Sequence, residues 1–349
     1  MPVVVVTGVS GALGRRVVSR FATSDRWSVV GLDRLPFPSG VAKPRHFTVH
    51  RVNLESAPLE RIFEGADALI HLSTVGAESA ADVETDTSIV NRTLAAASAA
   101  GIQRIVLLSS AVVYGARPDN PVPLTETSPS RADPTFLYAS QKLAIESAAQ
   151  SWRATQAGRR LAVLRPATTL GHPDARAWLA DAVRPGLAER LASTLPATQF
   201  VHVGDVADAI VHALDNDLDG VFNVASDGWL DSEAAHALFG PNLGFPIPEQ
   251  AIAPLRRVTD LLTGRRRPTG ALAYSTYPWV VANDRLRATG WVPRSSSAEA
   301  FVAAKRPSFF AGLYARRRQE VTLALTGVVG TSLAGGAVAI ARWLRRRAG

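Results

Sequence analysis

Residues 2–14, PVVVVTGVSGALG, constrain this chain more than any other stretch. Val3 to Val6 form an unbroken apolar run, the pattern of a short strand buried on both faces of a parallel sheet. Thr7-Gly8 then turns the chain, and Ala12 to Phe21 reads as a helix. Gly8, Gly11 and Gly14 recur at every third position. Glycines so spaced let the backbone turn tightly and approach a pyrophosphate, while the helix start points its unpaired N–H groups at the charge. Strand, glycine turn and helix in that order predict a dinucleotide-binding unit at the head of the chain.

Strands and helices alternate behind it. Ser28 to Leu32 reads as a second strand ending at Asp33, about 20 positions after the glycines. A carboxylate there grips both hydroxyls of an adenosine ribose and repels a 2′-phosphate, so Asp33 favours NAD. Arg34 can stack on adenine or meet a phosphate, which leaves NADP open. A third strand, His46 to Val52, leads to Asn53-Leu54. A fourth, Ala68 to Leu72, delivers Ser73-Thr74-Val75-Gly76 to its carboxyl edge, where open parallel sheets hold their ligands. His71, at the end of that buried strand, reads as a packed histidine. A helix from Asp82 to Ala100 stops at Gly101, and the fifth strand, Arg104 to Ser109, opens the segment LLSSAVVYG. The alternation predicts an α/β fold with a doubly wound parallel sheet.

A proline-rich loop follows, and Tyr138-Ala139-Ser140-Gln141-Lys142 starts a helix running to about Ala157. Tyr138 and Lys142 are four apart, so their side chains share one face. The chain holds 35 arginines but only three lysines, with five tyrosines. A Tyr-x-x-x-Lys pair is expected by chance roughly 0.04 times in such a composition. A lysine where the chain otherwise writes arginine indicates that a compact ammonium is needed beside the phenol.

Composition removes several other functions. Without cysteine there is no disulfide, no thiol chemistry and no Cys-based metal site, and no metal is expected. The formal charge of +8 suggests nucleic acid until it is located. Residues 311–349 hold seven arginines and one glutamate, leaving about +2 for the other 310, an ordinary enzyme surface that binds no nucleic acid. Met1 leads directly into the first strand, with no room for a signal peptide, so the body is expected in the cytoplasm.

Taken together, TGVSGALG, Asp33, SSAVVYG, the proline loop with Thr125-Glu126, YASQK, Leu164-Arg165-Pro166, residues 200–207 (FVHVGDVA) and residues 284–293 (DRLRATGWVP) resemble the extended short-chain dehydrogenases. That group includes NAD-dependent epimerases and dehydratases and 3β-hydroxysteroid dehydrogenase-like enzymes, and the resemblance runs from residue 2 to about 305. It implies a Rossmann-type sheet, with the cofactor part mainly 1–166 and a smaller C-terminal substrate lobe mainly 167–200 and 226–283. It implies catalysis by Ser110, Tyr138 and Lys142, with Ser109 the less favoured serine. The cofactor contacts it implies, with the residues above, are Gly8, Ser10, Gly11, Ala12, Leu13, Gly14, Asp33, Arg34, Asn53, Leu54, Leu72, Ser73, Thr74, Tyr138, Lys142 and Pro166. A homodimer through the helices of 82–100 and 138–157 is a further expectation of the resemblance.

On this reading Lys142 and the nicotinamide charge depress the Tyr138 pKa, and Tyr138 exchanges a proton with a substrate alcohol as hydride moves to or from the nicotinamide. The expected substrate is a secondary alcohol or ketone, lipid-like in character; a nucleotide-sugar epimerase or dehydratase is the alternative, and a non-catalytic cofactor-binding regulator the third reading. Four departures stand out. The family's usual asparagine 15 residues before Gly101 is Asp86, and its adenine-facing aspartate is Asn53. Two residues that help hold a nucleotide-sugar diphosphate are replaced by Thr168 and Thr198, which argues against that substrate class. His202 and Asp205 read as fixing a loop and capping a helix rather than as a catalytic pair.

The tail differs in kind. After a basic linker, 306–320, residues 321–341 carry no charge, and the basic tail 342–349 follows. As a helix the run would extend about 31 Å, near the thickness of a bilayer's hydrocarbon core. A membrane helix at 321–341 is therefore expected, anchoring the enzyme at the cytoplasmic face, with an interfacial helix or one packed on the body or a partner as the alternatives; Arg345 to Arg347 beyond it run against the positive-inside tendency.

Overall fold

A computed structural model describes residues 1–24, 26–74, 79–171, 179, 195–239, 268 and 270–304. Residues Met1–Ala304 form one compact unit. The run 321–341, the linker and the basic tail lie outside the described residues, as does most of 172–194 and 240–269. Among the described residues no helix is long and apolar enough to cross a membrane.

The valine run becomes strand β1, Val3–Thr7, and the glycine turn leads into helix α1, Ala12–Ser24. Strands β2 (Ser28–Asp33) and β3 (Phe47–Arg51) extend the sheet to one side of β1. On the other side lie β4 (Ala68–His71), β5 (Arg104–Leu108), β6 (Arg160–Pro166) and, beyond a separate two-stranded sheet of β7 (Thr168–Leu170) and β8 (Phe200–His202), strand β9 (Gly220–Val224). All seven strands of the main sheet pair in parallel in the order β3-β2-β1-β4-β5-β6-β9. The chain winds one way from β1 and the other way from β4. The crevice outside the carboxyl ends of those two strands is the switch point where open α/β sheets bind ligands.

Burial explains the sequence pattern. Val4 and Val6 face a layer with Val17, Val18 and Phe21 of α1 and Ile210 and Leu214 of helix Val203–Asp215. Val5 faces the other layer, with Leu59 of the short helix α2 (Leu59–Ile62), Ile89, Val90 and Leu94 of α3 (Ala80–Ala99), and Ile145 and Trp152 of α4 (Leu137–Ala154). Both layers are apolar, so successive side chains of one strand are all apolar. Each such side chain contributes about 1.5–3 kcal/mol relative to exposure.

Helix boundaries differ from the sequence expectation where local hydrogen bonds decide them. The helix expected from Asp82 starts at Ala80, because Ser79 and Asp82 cap its backbone reciprocally. Two long-range ties close the chain over the proline loop. Leu124 N–H donates to Val280 O at 2.8 Å and Leu124 O accepts from Ala282 N–H at 2.8 Å. Glu126 Oε1 accepts from Asn223 N–H at 2.8 Å, holding the loop onto β9.

A tight backbone contact lies between the glycine turn and its own helix. A Cβ on Gly14 would lie 2.1 Å from Gly8 O, and that atom belongs to the backbone and cannot swing aside. Gly14→Ala is expected to cost about 1–3 kcal/mol of stability, as overpacking does. Denaturant unfolding checks it; a variant as stable as wild type would show that the turn is loosely held.

Candidate active site

The glycine turn, the end of β2 and the end of β4 converge at the switch point. Gly8 adopts φ +75°, and a Cβ there would lie 3.1 Å from Ser73 N and 3.2 Å from the Leu72 carbonyl carbon. Asp33 is clasped by two backbone amides: Ser10 N–H donates to Oδ2 at 2.9 Å and Leu35 N–H to Oδ1 at 2.9 Å. The first-turn amides of α1, including those of Ala12 and Leu13, have no intrahelical acceptor by position. Glycine cradle, helix start and carboxylate fit a dinucleotide: α1 would take the pyrophosphate and Asp33 the ribose.

Other sequence-predicted cofactor residues divide. Leu72, Ser73 and Thr74 follow β4, the first two directly beside Gly8, and Pro166 ends β6. Arg34 is exposed next to Asp33, and Leu54 is buried. Asn53 is engaged in a turn of its own, Oδ1 accepting from Glu55 N–H at 3.2 Å and Nδ2 donating to Glu55 Oε2 at 2.9 Å.

Behind the turn, Thr7 Oγ1 accepts from the N–H groups of Leu72 and Ser73, both at 3.2 Å, and lies 3.1 Å from His71 Nδ1. With both lone pairs taken, the hydroxyl proton goes to Nδ1, so the imidazole proton sits on Nε2. Burial, and secondarily Lys142, pushes the His71 pKa down to about 3. This histidine is neutral and packed.

The trio expected to be catalytic comes from two elements. Ser110 sits in extended conformation after β5 at the start of a short turn, Ala111–Tyr114, its Oγ accepting from Val112 N–H at 3.4 Å. Tyr138 and Lys142 lie one turn apart on α4, with Lys142 Nζ 5.5 Å from the Tyr138 ring centroid. Ser110 also hydrogen-bonds to Tyr138. The structure thus brings all three together.

One expectation is corrected. Tyr138 is not depressed in this structure: burial pushes its pKa up to about 12, against the lowering effect of Ser110, and the charge of Asp86 adds to the rise. Burial also lowers the pKa of Lys142, while Asp86 and Glu146 oppose that fall. The ammonium stands over the phenol ring while desolvation acts on the whole group, so desolvation wins.

Sequence reasoning missed the support beneath the trio. Arg165 of β6 forms a buried double hydrogen bond with Glu146 of α4, at 3.0 Å from Nε to Oε1 and 2.6 Å from Nη2 to Oε2. Ser109 Oγ donates to the same Oε1. The Arg165 guanidinium also stacks 4.7 Å over the Tyr114 ring, whose hydroxyl donates to Asn223 Oδ1 at 2.8 Å. Burial disfavours the Arg165 charge, but Glu146 more than offsets it. The available signal was spacing: Glu146 is four residues past Lys142, on the same helix face.

His202 and Asp205 have the roles expected of them. His202 Nδ1 accepts from Gly204 N–H at 3.1 Å at the start of the helix Val203–Asp215, and Asp205 accepts from the N–H groups of Arg294 and Ser295. Among the described residues no cluster of three or more His, Asp or Glu side chains is placed to hold a metal.

Glu146→Ala strands a buried guanidinium and is expected to cost about 3–5 kcal/mol in denaturant unfolding. A loss below about 1 kcal/mol, the range of an exposed pair, would show that the pair is not structural.

Comparison with known proteins agrees with this geometry. An uncharacterized protein of Mycobacterium tuberculosis (strain ATCC 25618 / H37Rv) is 25% identical over 313 residues, covering 86% of this chain and 82% of the relative. The structure of MoeE5 in complex with UDP-glucuronic acid and NAD is 22% identical with a TM-score of 0.63, covering 86% of this chain and 96% of that one. The UDP-glucose 4-epimerase of Thermus thermophilus, in complex with NAD, is 22% identical with a TM-score of 0.61, covering 86% of this chain and 98% of that one. The sequence profile of the NAD dependent epimerase/dehydratase family matches residues 4–225, more than half of the chain. With the glycine cradle, Asp33 and the Ser110, Tyr138 and Lys142 trio in place, this chain belongs to the NAD dependent epimerase/dehydratase family.

Proposed function

We propose that the protein interconverts a secondary alcohol and a ketone on its substrate, with a nucleotide sugar as the best-supported substrate class. The observation that carries the chemistry is Ser110 and Lys142 converging on one half-buried phenol at the start of α4. NAD supplies the hydride acceptor and donor. Tyr138 takes the proton from the substrate hydroxyl or returns it to the carbonyl oxygen. Ser110 hydrogen-bonds the same oxygen and orients it, and Lys142 favours the phenolate once the proton has left. An epimerase or dehydratase uses the same oxidation as its first step.

The substrate class rests on family membership and on the UDP-sugars and NAD bound to similar structures. This weighs the nucleotide-sugar alternative above the lipid-like substrate expected from sequence. The lipid-like reading keeps one observation of its own. Thr198 pairs with Leu230, its hydroxyl donates to Pro196 O at 3.0 Å, and the side chain at 168 is buried and carries no amide. Neither position offers the guanidinium fork or amide suited to a diphosphate. Attachment to a membrane through 321–341 belongs to the same proposal and rests on the uncharged 21-residue run.

Tyr138→Phe is expected to lower turnover by about 10²–10⁴-fold, the usual worth of a positioned acid–base group, with NAD affinity unchanged. The assay panel is UDP-, GDP- and dTDP-sugars against sterols and isoprenoid alcohols, followed by turnover and thermal shift. Turnover of a nucleotide sugar supports the leading reading; turnover of lipid alcohols alone moves the proposal to them, and a variant with full activity removes Tyr138 from the chemistry. Separately, full-length protein is expected to stay with membranes through alkaline carbonate extraction; release would remove the anchor.

A further inference from the structure

One side chain, 162 residues beyond the Ser110 turn in the chain, reaches both halves of the trio. Tyr274 lies on the short helix Ala273–Thr276 and is almost wholly buried. Its hydroxyl donates to Val112 O at 2.6 Å, inside the turn that follows Ser110. The same carbonyl accepts from Gly115 N–H at 3.0 Å, which takes its second lone pair and closes the turn. On its amide side Val112 donates to Ser110 Oγ at 3.4 Å, and Ser110 hydrogen-bonds to Tyr138. The two peptide groups of Val112 thus join the Tyr274 hydroxyl to the serine.

The ring of Tyr274 reaches the other half. It packs against Phe136 with centroids 5.0 Å apart, and Phe136, wholly buried, opens α4 two residues before Tyr138. Phe136 O accepts from the N–H groups of Ala139 and Ser140 in the first turn of that helix, and its ring lies 6.1 Å from that of Tyr138. Trp279 meets the Tyr274 ring edge-on at 5.2 Å and donates from Nε1 to Tyr274 O at 3.0 Å. A second contact does not involve that side chain. Gly270, at φ +78°, sits so close that a Cβ would lie 2.7 Å from Phe136 N. Backbone as well as ring therefore presses this segment onto the start of α4.

We propose that Tyr274 is a positioning residue of the hydride-transfer centre: its hydroxyl fixes the turn that aims Ser110, and its ring fixes the start of α4 that carries Tyr138. The proposal rests on the roles given to Ser110 and Tyr138 above. Burial pushes the Tyr274 pKa up, so the phenol remains a donor. Apolar contact alone would let the segment slide a little, whereas a hydrogen bond weakens steeply once its angle is lost, so the hydroxyl adds direction. Ser110 needs that direction, because small misplacements of a catalytic group are costly. The segment falls in the stretch 226–283 expected to form the substrate lobe, so one phenol joins that stretch to the trio. Without the hydroxyl, Val112 O keeps its bond from Gly115 and the core stays filled; only the tie is lost.

The test needs no substrate. Full-length protein in the presence of NAD carries carbon-13 at the tyrosine Cζ positions, and Tyr138→Phe identifies the Tyr138 signal among the five tyrosines. Ser110→Ala gives the displacement of that signal when the serine hydroxyl is gone. Tyr274→Phe is expected to move it in the same direction. The double variant Ser110→Ala/Tyr274→Phe is expected to move it no further than Ser110→Ala alone, since groups that act through one another are not additive. A Tyr138 signal unmoved by Tyr274→Phe, whatever the melting temperature of that variant, overturns the assignment. So does a displacement that adds in full to that of Ser110→Ala, or a signal that Ser110→Ala itself leaves in place. Turnover of a substrate found in the panel is expected to fall about 10-fold or more in Tyr274→Phe with NAD affinity unchanged, and full turnover overturns the assignment too. Failure of the functional reading looks different: Tyr138→Phe would then retain turnover whatever the spectra show.

Discussion

The buried pair between Glu146 and Arg165 is the interaction on which the active centre depends. It ties α4, which carries Tyr138 and Lys142, to β6, and through Ser109 to the end of β5, one residue before Ser110. Three elements that carry or flank the trio are therefore fixed by one carboxylate. Such a pair gains stability only if its geometry is good and its remaining hydrogen-bonding groups are satisfied. Here the guanidinium meets both carboxylate oxygens and covers the face of Tyr114, so desolvation is offset by directed contacts. Helix packing alone would fix the axis of α4 more loosely, since side-chain contacts tolerate small slides that a double hydrogen bond does not.

The electrostatics of the centre follow from that anchoring. Lys142 is almost wholly buried, and it stays within reach of two carboxylates, Asp86 and Glu146, and one neutral imidazole, His71. Burial, with a smaller push from the charge of Asp86, raises the proton affinity of Tyr138 and keeps the phenol neutral. The dinucleotide cradle lies a few residues away across the switch point. There Gly8 abuts Leu72 and Ser73, and Asp33 is pre-oriented by the amides of Ser10 and Leu35. A carboxylate already held by its own backbone needs little rearrangement to meet a ribose, a form of preorganisation.

Much of this was legible in the sequence because it is written locally. The valine run, the glycine spacing and Asp33 belong to one strand–turn–helix–strand unit, and their pattern does not depend on distant contacts. Tyr138 and Lys142 were legible for a different reason: the chain is so poor in lysine that its placement is informative. The proton affinity of Tyr138 was not legible, since it is decided by how completely the helix is packed, a tertiary quantity. The Glu146–Arg165 pair spans 19 residues and two elements, and nothing in the local pattern says which arginine among 35 meets that carboxylate. Asn53 shows the limit of resemblance: the residue type permits an adenine contact, but its side chain is taken up by Glu55.

Native mass spectrometry of the full-length chain as purified, then titrated with NAD, tests the central claim most directly. A centre built around the cradle of Gly8, Gly14 and Asp33 predicts one NAD per chain, retained or taken up stoichiometrically. A chain that stays free of NAD at saturating concentration would contradict the account.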